Sequence, residues 1–196
     1  MVSEFQFVAV LVAIVFGLSL THLLSSTARA VFATQGSQYG ATRWAWTGFV
    51  LLILLLNWWV TFSWREIEVW SFDLFLVFII WAGSHYALVI ALFPFNGMGT
   101  DIQIADWQPR PMLIMFIIVA LLDYAQTAVR GELFSSPYYV PFTLHYIVLA
   151  GIAAYLQSDK VFRITAWYFL ISFFRWALIM PVSYTHLRAH ETVTLI

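Results

Sequence analysis

Six stretches of about twenty predominantly apolar residues recur along the chain, at 5–24, 45–64, 72–93, 112–130, 138–157 and 161–181, with polar and turn-forming residues gathered between them. A bilayer core about 30 Å thick is crossed by a helix of about 20 such residues, so the pattern predicts an all-α integral membrane bundle of six transmembrane helices. The first stretch is followed by Ala28-Arg29-Ala30, which resembles a signal-peptidase site and leaves a cleaved-signal alternative with five spans. An uncleaved span fits better, because the segment opens on Glu4 without Lys or Arg and its apolar run is too long for a signal core.

Two connections are longer than the rest. The segment 25–44 is expected to carry the first helix past Arg29 and to break at Gly36 and Gly40, and 94–111 is punctuated by Pro94, Gly97, Gly99, Pro109 and Pro111. Neither is long enough for a domain, and no internal repeat or inverted duplication is visible. The connections expected on one side hold Arg29, Arg43, Arg110, Lys160 and Arg163, and those on the other only Arg65 and Arg130. The positive-inside rule makes the richer side cytoplasmic and places both termini outside.

Composition sharpens this picture. Of 196 residues 62% are hydrophobic and 10% charged, with a net charge of −1, which removes a nucleic-acid footprint as well as a soluble domain. The chain has no cysteine, so disulfides, thiolate metal sites and cysteine nucleophiles are absent. The last fifteen residues change what can be counted. Val182 to Thr192 reads VSYTHLRAHET, which resembles the translation of a transposase sequencing adapter, so 1–181 is read as one six-helix domain and 182–196 as a non-native tail. His186, Arg188, His190 and Glu191 are given no functional weight on that account.

Polar groups inside spans are costly and need a reason. Asn57 lies seven residues, roughly 10 Å, from the outer end of its span, and Asp123 and His145 lie equally deep in theirs. Arg175 is roughly 9 Å deep in the sixth span. Asn57, Asp123, His145 and Arg175 are therefore expected to form one outer-leaflet layer built around an Asp123–Arg175 ion pair. Asp123, Gln126, Thr127 and Arg130 share one helix face, which should point into the bundle. Such a layer fixes helix register as structural glue; the alternative is a binding or proton-handling site in which Asp123 and His145 titrate.

Other features admit ordinary readings. Ala13, Gly17, Thr21 and Ser25 in the first span, and Gly83, Ala87 and Ala91 in the third, form small-residue stripes expected to be helix contacts. The aromatic cluster from Asn57-Trp58-Trp59 through Phe62, Trp64 and Trp70 reads as an interfacial belt, with a substrate-binding aromatic wall as the lesser reading. His22, His85 and His145 occupy three parallel spans but differ in depth by about 6 to 9 Å, which argues against two of them sharing a haem. No metal or other cofactor is expected, and no catalytic motif of the soluble-enzyme kind is present, so the reading leans away from an enzyme.

The opening EFQFVAVLVAIVFGLSLTHLL, LNWWVTFSWR, Trp70-Ser71-Phe72, Leu92-Phe93-Pro94 and Leu121-Leu122-Asp123 resemble a family of bacterial six-helix hypothetical membrane proteins of about this size. The resemblance covers nearly all of 1–181 and implies a bacterial inner-membrane location, with no functional residue to carry over. The expected role is an accessory or subunit of a membrane complex, with the bilayer and a membrane-protein partner or a second copy as contacts and no nucleic acid. A small-solute or proton-coupled transporter is the alternative, and a haem-binding redox subunit the third.

Overall fold

A computed structural model describes residues 4–32, 40–67, 69–94 and 109–193, with side chains as far as residue 178, Glu66 excepted. The expected breaks at Gly36, Gly97 and Gly99 lie outside these residues. Six helices are formed: α1 (Glu4–Phe32), α2 (Ala41–Val60), α3 (Phe72–Leu92), α4 (Pro109–Val129), α5 (Tyr139–Leu156) and α6 (Asp159–Val193). Each is long and apolar enough to cross a membrane, and no strand occurs among the described residues. The protein is a six-helix membrane bundle. α1 runs past Arg29 to Phe32, as the sequence suggested, and its 29 residues span about 43 Å, longer than the hydrocarbon core.

The helix boundaries follow local chemistry. α2 tightens into a 3-10 turn over Thr61–Glu66, which carries Trp64 inward. α4 starts at Pro109, whose fixed φ suits the first helical position, so the two prolines expected in the loop open the helix instead. α4 ends where Gly131 adopts φ +75; the Glu132 N–H donates to the Thr127 carbonyl and the Gly131 N–H to the Ala128 carbonyl, at 3.1 and 2.9 Å. This paired closure needs a left-handed residue, which glycine supplies without steric cost.

Around the bundle the helices contact one another in the order α1, α3, α4, α5, α6, α2, with α2 closing back on α1. α2 is joined to α4 and α6 by Phe49, whose ring packs against Phe116 of α4 at 5.4 Å and against Phe169 and Phe173 of α6 at 5.1 and 5.5 Å. Trp46 stacks on Phe162 at 5.2 Å. In lipid, where hydrophobicity gives no net drive between helices, this interlocking of large rings supplies the association through dispersion. The small-residue stripes do not. On α1 the buried positions are Val8, Val12, Phe16, Ser19, Leu23 and Ser26, whereas Ala13, Gly17, Thr21 and Ser25 face outward. Gly83, Ala87 and Ala91 are only half-buried. The contact faces are set by where bulky rings fit, and α1 turns its larger residues toward α2 and α3.

Candidate functional site

Asp123 stands six residues, about 9 Å, from the end of α4, on the face turned toward α3 and α5. Its Oδ1 accepts hydrogen bonds from Trp81 Nε1 and Gln126 Nε2, both 3.1 Å, and its Oδ2 accepts one from the Tyr139 hydroxyl at 2.5 Å. One carboxylate therefore ties three helices, α3 through Trp81, α4 through Gln126 and α5 through Tyr139. Gln126 Nε2 also donates to Thr127 Oγ1 at 3.0 Å, and Thr127 Oγ1 donates to the Asp123 carbonyl at 2.8 Å. The expected inward face of α4 is present: Gln126 is 2% exposed, and Thr127 is buried.

From Trp81 the network runs deeper. His85 Nδ1 donates to the Trp81 carbonyl at 2.8 Å, and Asn57 Nδ2 lies 2.9 Å from His85 Nε2. A carbonyl only accepts, so the proton is on Nδ1; Nε2 accepts from the Asn57 amide, and His85 is neutral in this arrangement. Asn57 and Asp123 are thus connected by one chain of hydrogen bonds through two α3 residues, with Asn57 meeting α3 at His85, one turn deeper than the Trp81 that meets Asp123.

The other two members do not join. Arg175 lies on the exposed face of α6, and the only ion pair among the described residues is Arg130–Glu132 at 3.0 Å, so the expected Asp123–Arg175 pair is replaced by three neutral donors. The reason is azimuth. α6 seats Phe162, Ala166, Phe169 and Phe173 inward, and Arg175, two residues beyond Phe173, is rotated about 200° from it. His145 packs between α5 and α6 against Phe142, Tyr146 and Tyr168, with ring centroids 5.3, 4.0 and 5.9 Å away. Its Nε2 is buried without a hydrogen-bond partner among the described residues.

Above Asp123, toward the end where α4 stops, the aromatic cluster divides in two. Trp59 is 62% exposed and Trp58 and Phe62 are exposed with it, as an interfacial belt requires. Trp64 is fully buried, stacked on Phe78 at 3.9 Å, and Phe78 is in turn stacked on Trp81 at 5.4 Å. The Arg130 guanidinium lies 4.9 Å from the Trp64 ring centroid and donates to Ser63 Oγ at 2.8 Å. Arg130 is thereby engaged at the rim, and the column of rings leads from Trp64 down to Trp81, the donor to Asp123.

The three span histidines stay separate. His22 Nε2 donates to the Phe93 carbonyl at 2.8 Å, both nitrogens of His85 are engaged, and His145 sits on the other side of the bundle. No cluster of three metal-ligating side chains occurs among the described residues. Comparison of the chain with protein-family profiles, with curated proteins and with solved structures gives no match.

Proposed function

We propose that this six-span protein lies in a bacterial plasma membrane with its amino terminus outside and serves as a non-enzymatic subunit or accessory of a membrane complex. The orientation is supported by Arg29, Arg43, Arg110, Lys160 and Arg163 at one end of the bundle against Arg65 and Arg130 at the other. The observation that carries the role is Arg175. Its guanidinium belongs to an outward face of α6 shared with exposed Tyr168, Ile171, Phe174 and Leu178, and it has no ion-pair partner among the described residues. A charge on a lipid-facing helix is costly, and a carboxylate or free carbonyl on a neighbouring subunit removes that cost. Photo-crosslinking from position 171 or 178 tests the reading. A crosslink to one membrane protein, lost in Arg175→Leu, is expected; crosslinks to lipid alone would contradict it, and a crosslinked dimer would assign the face to a second copy.

A second reading is proton-coupled or small-solute transport through the Asp123 layer. It is favoured by one feature: the carboxylate is held by neutral donors only, with no cation beside it among the described residues. Loss of solute flux in Asp123→Asn, with unchanged expression and melting, is the expected result, and retained flux would exclude it.

A further inference from the structure

We infer that Asp123, Tyr139 and Thr127 form a single-proton site, in which one proton from hydronium is taken up on Asp123 Oδ2, leaving water, and the Tyr139 hydroxyl turns from Asp123 to Thr127. This deepens the second reading above and rests on its premise that the carboxylate has no counter-ion among the described residues.

Counting protons against acceptors gives the reason. With Asp123 ionised, the Tyr139 proton lies on Oδ2 and the Thr127 proton on the Asp123 carbonyl. The Tyr139 hydroxyl and Thr127 Oγ1 are nevertheless 3.2 Å apart, at hydrogen-bond distance, and neither has a proton left for that contact. Gln126 Oε1, on a side chain 2% exposed and beside Asp123, shows the same shortage: it is a buried acceptor without a donor among the described residues.

One added proton fills the empty contact without moving a heavy atom. A new O–H bond on Oδ2 donates to the Tyr139 oxygen across the 2.5 Å separation, and the Tyr139 O–H donates to Thr127 Oγ1. Thr127 Oγ1 then accepts from Tyr139 and Gln126 with its two lone pairs, while its own proton stays on the Asp123 carbonyl. Oδ1 keeps Trp81 and Gln126 as donors in both states. The proton is taken from hydronium and no bond between heavy atoms breaks.

The titratable and charged groups facing the site leave this role to Asp123. α3 presents His85, whose two nitrogens are occupied by Trp81 and Asn57; α5 presents Tyr139; α2 reaches the layer through Asn57; and on α4 Tyr124 donates to the Val140 carbonyl while Arg130 is turned to Ser63 and Glu132.

Infrared difference spectroscopy on the full chain in lipid, scanned over pH, reads both halves of the exchange. The chain has ten acidic residues, so the Asp123 component is taken as the wild-type spectrum minus that of Asp123→Asn. The expected result is one carboxylic-acid carbonyl component in that difference, growing on acidification, together with a shift of a tyrosine C–O band over the same pH interval. Tyr139→Phe should lose the tyrosine shift and keep the Asp123 acid component. Identical acid bands in wild type and Asp123→Asn, with helicity retained in both, overturn the proposal. If Asp123→Asn does not fold, Tyr139→Phe decides alone: survival of the tyrosine shift overturns it. Failure here leaves the flux assay free to succeed, and loss of flux dependence leaves the spectrum unchanged, so the two claims are separable.

Discussion

Removing the Trp81–Asp123 hydrogen bond gives the most quantitative check on the polar layer. Trp81→Phe keeps a ring to stack on Phe78 and pack against Phe16, and deletes the Nε1 donor 3.1 Å from Oδ1. A hydrogen bond to a charged group contributes about 1.5 to 3 kcal/mol, whereas side-chain hydrogen bonds between transmembrane helices average about 0.6 kcal/mol and reach about 1.7. A double-mutant cycle of Trp81→Phe with Asp123→Ala, read from reversible unfolding in lipid bicelles, isolates the pair. Coupling should be about 1.5 kcal/mol or more where the carboxylate is ionised and should fall toward about 0.6 kcal/mol once acid protonates it. A coupling that is small and constant across pH would refute the assignment of Asp123 as an ionised acceptor that takes up a proton.

Four further substitutions test the surroundings of the layer. Trp64→Ala removes a fully buried ring and should cost about 3 to 5 kcal/mol, whereas Trp59→Ala, on the exposed belt, should stay within about 0.5 kcal/mol; equal effects in an unfolding titration would contradict the division of the cluster. Gly131→Ala places a Cβ on a residue at φ +75 and should lower stability by about 1 to 2 kcal/mol, with the loss seen as earlier hydrogen exchange at the end of α4. Asn57→Leu leaves His85 Nε2 without its donor and should cost about 1 to 3 kcal/mol by thermal unfolding, and a neutral outcome would mean that the 2.9 Å contact contributes nothing.

The six spans were legible in the sequence because a bilayer demands long apolar helices, and every observed helix overlaps its expected stretch. The inward face of α4 was legible too, since Gln126 and Thr127 follow Asp123 at helical spacing. Depth arithmetic placed Asn57 and Asp123 at one level; hydrogen bonds through Trp81 and His85 join them, with the two ends of the chain one turn apart along α3. Depth says nothing about azimuth, however. Arg175 has the right height and the wrong direction, because α6 is oriented by the rings of Phe162, Phe169 and Phe173 around Trp46 and Phe49. Tyr139 escaped notice because it stands at the first position of α5, where a tyrosine reads as an interfacial anchor. Trp81 was hidden among ten tryptophans; a tryptophan one turn before a buried histidine in a mid-span position was the available signal. The small-residue stripes misled because close backbone approach is one way to pack helices in lipid and interlocked aromatic rings are another.

The central claim is that Asp123 is bound inside the bundle by α3 and α5 rather than by a cation on α6. A solid-state NMR distance between indole-¹⁵N Trp81 and the ¹³Cγ of Asp123, in lipid, measures this directly. A hydrogen bond of 3.1 Å to Oδ1 predicts a separation of about 4 Å and a strong dipolar coupling. No coupling to Trp81, with Asp123 instead coupled to the guanidinium nitrogens of Arg175, would contradict the account.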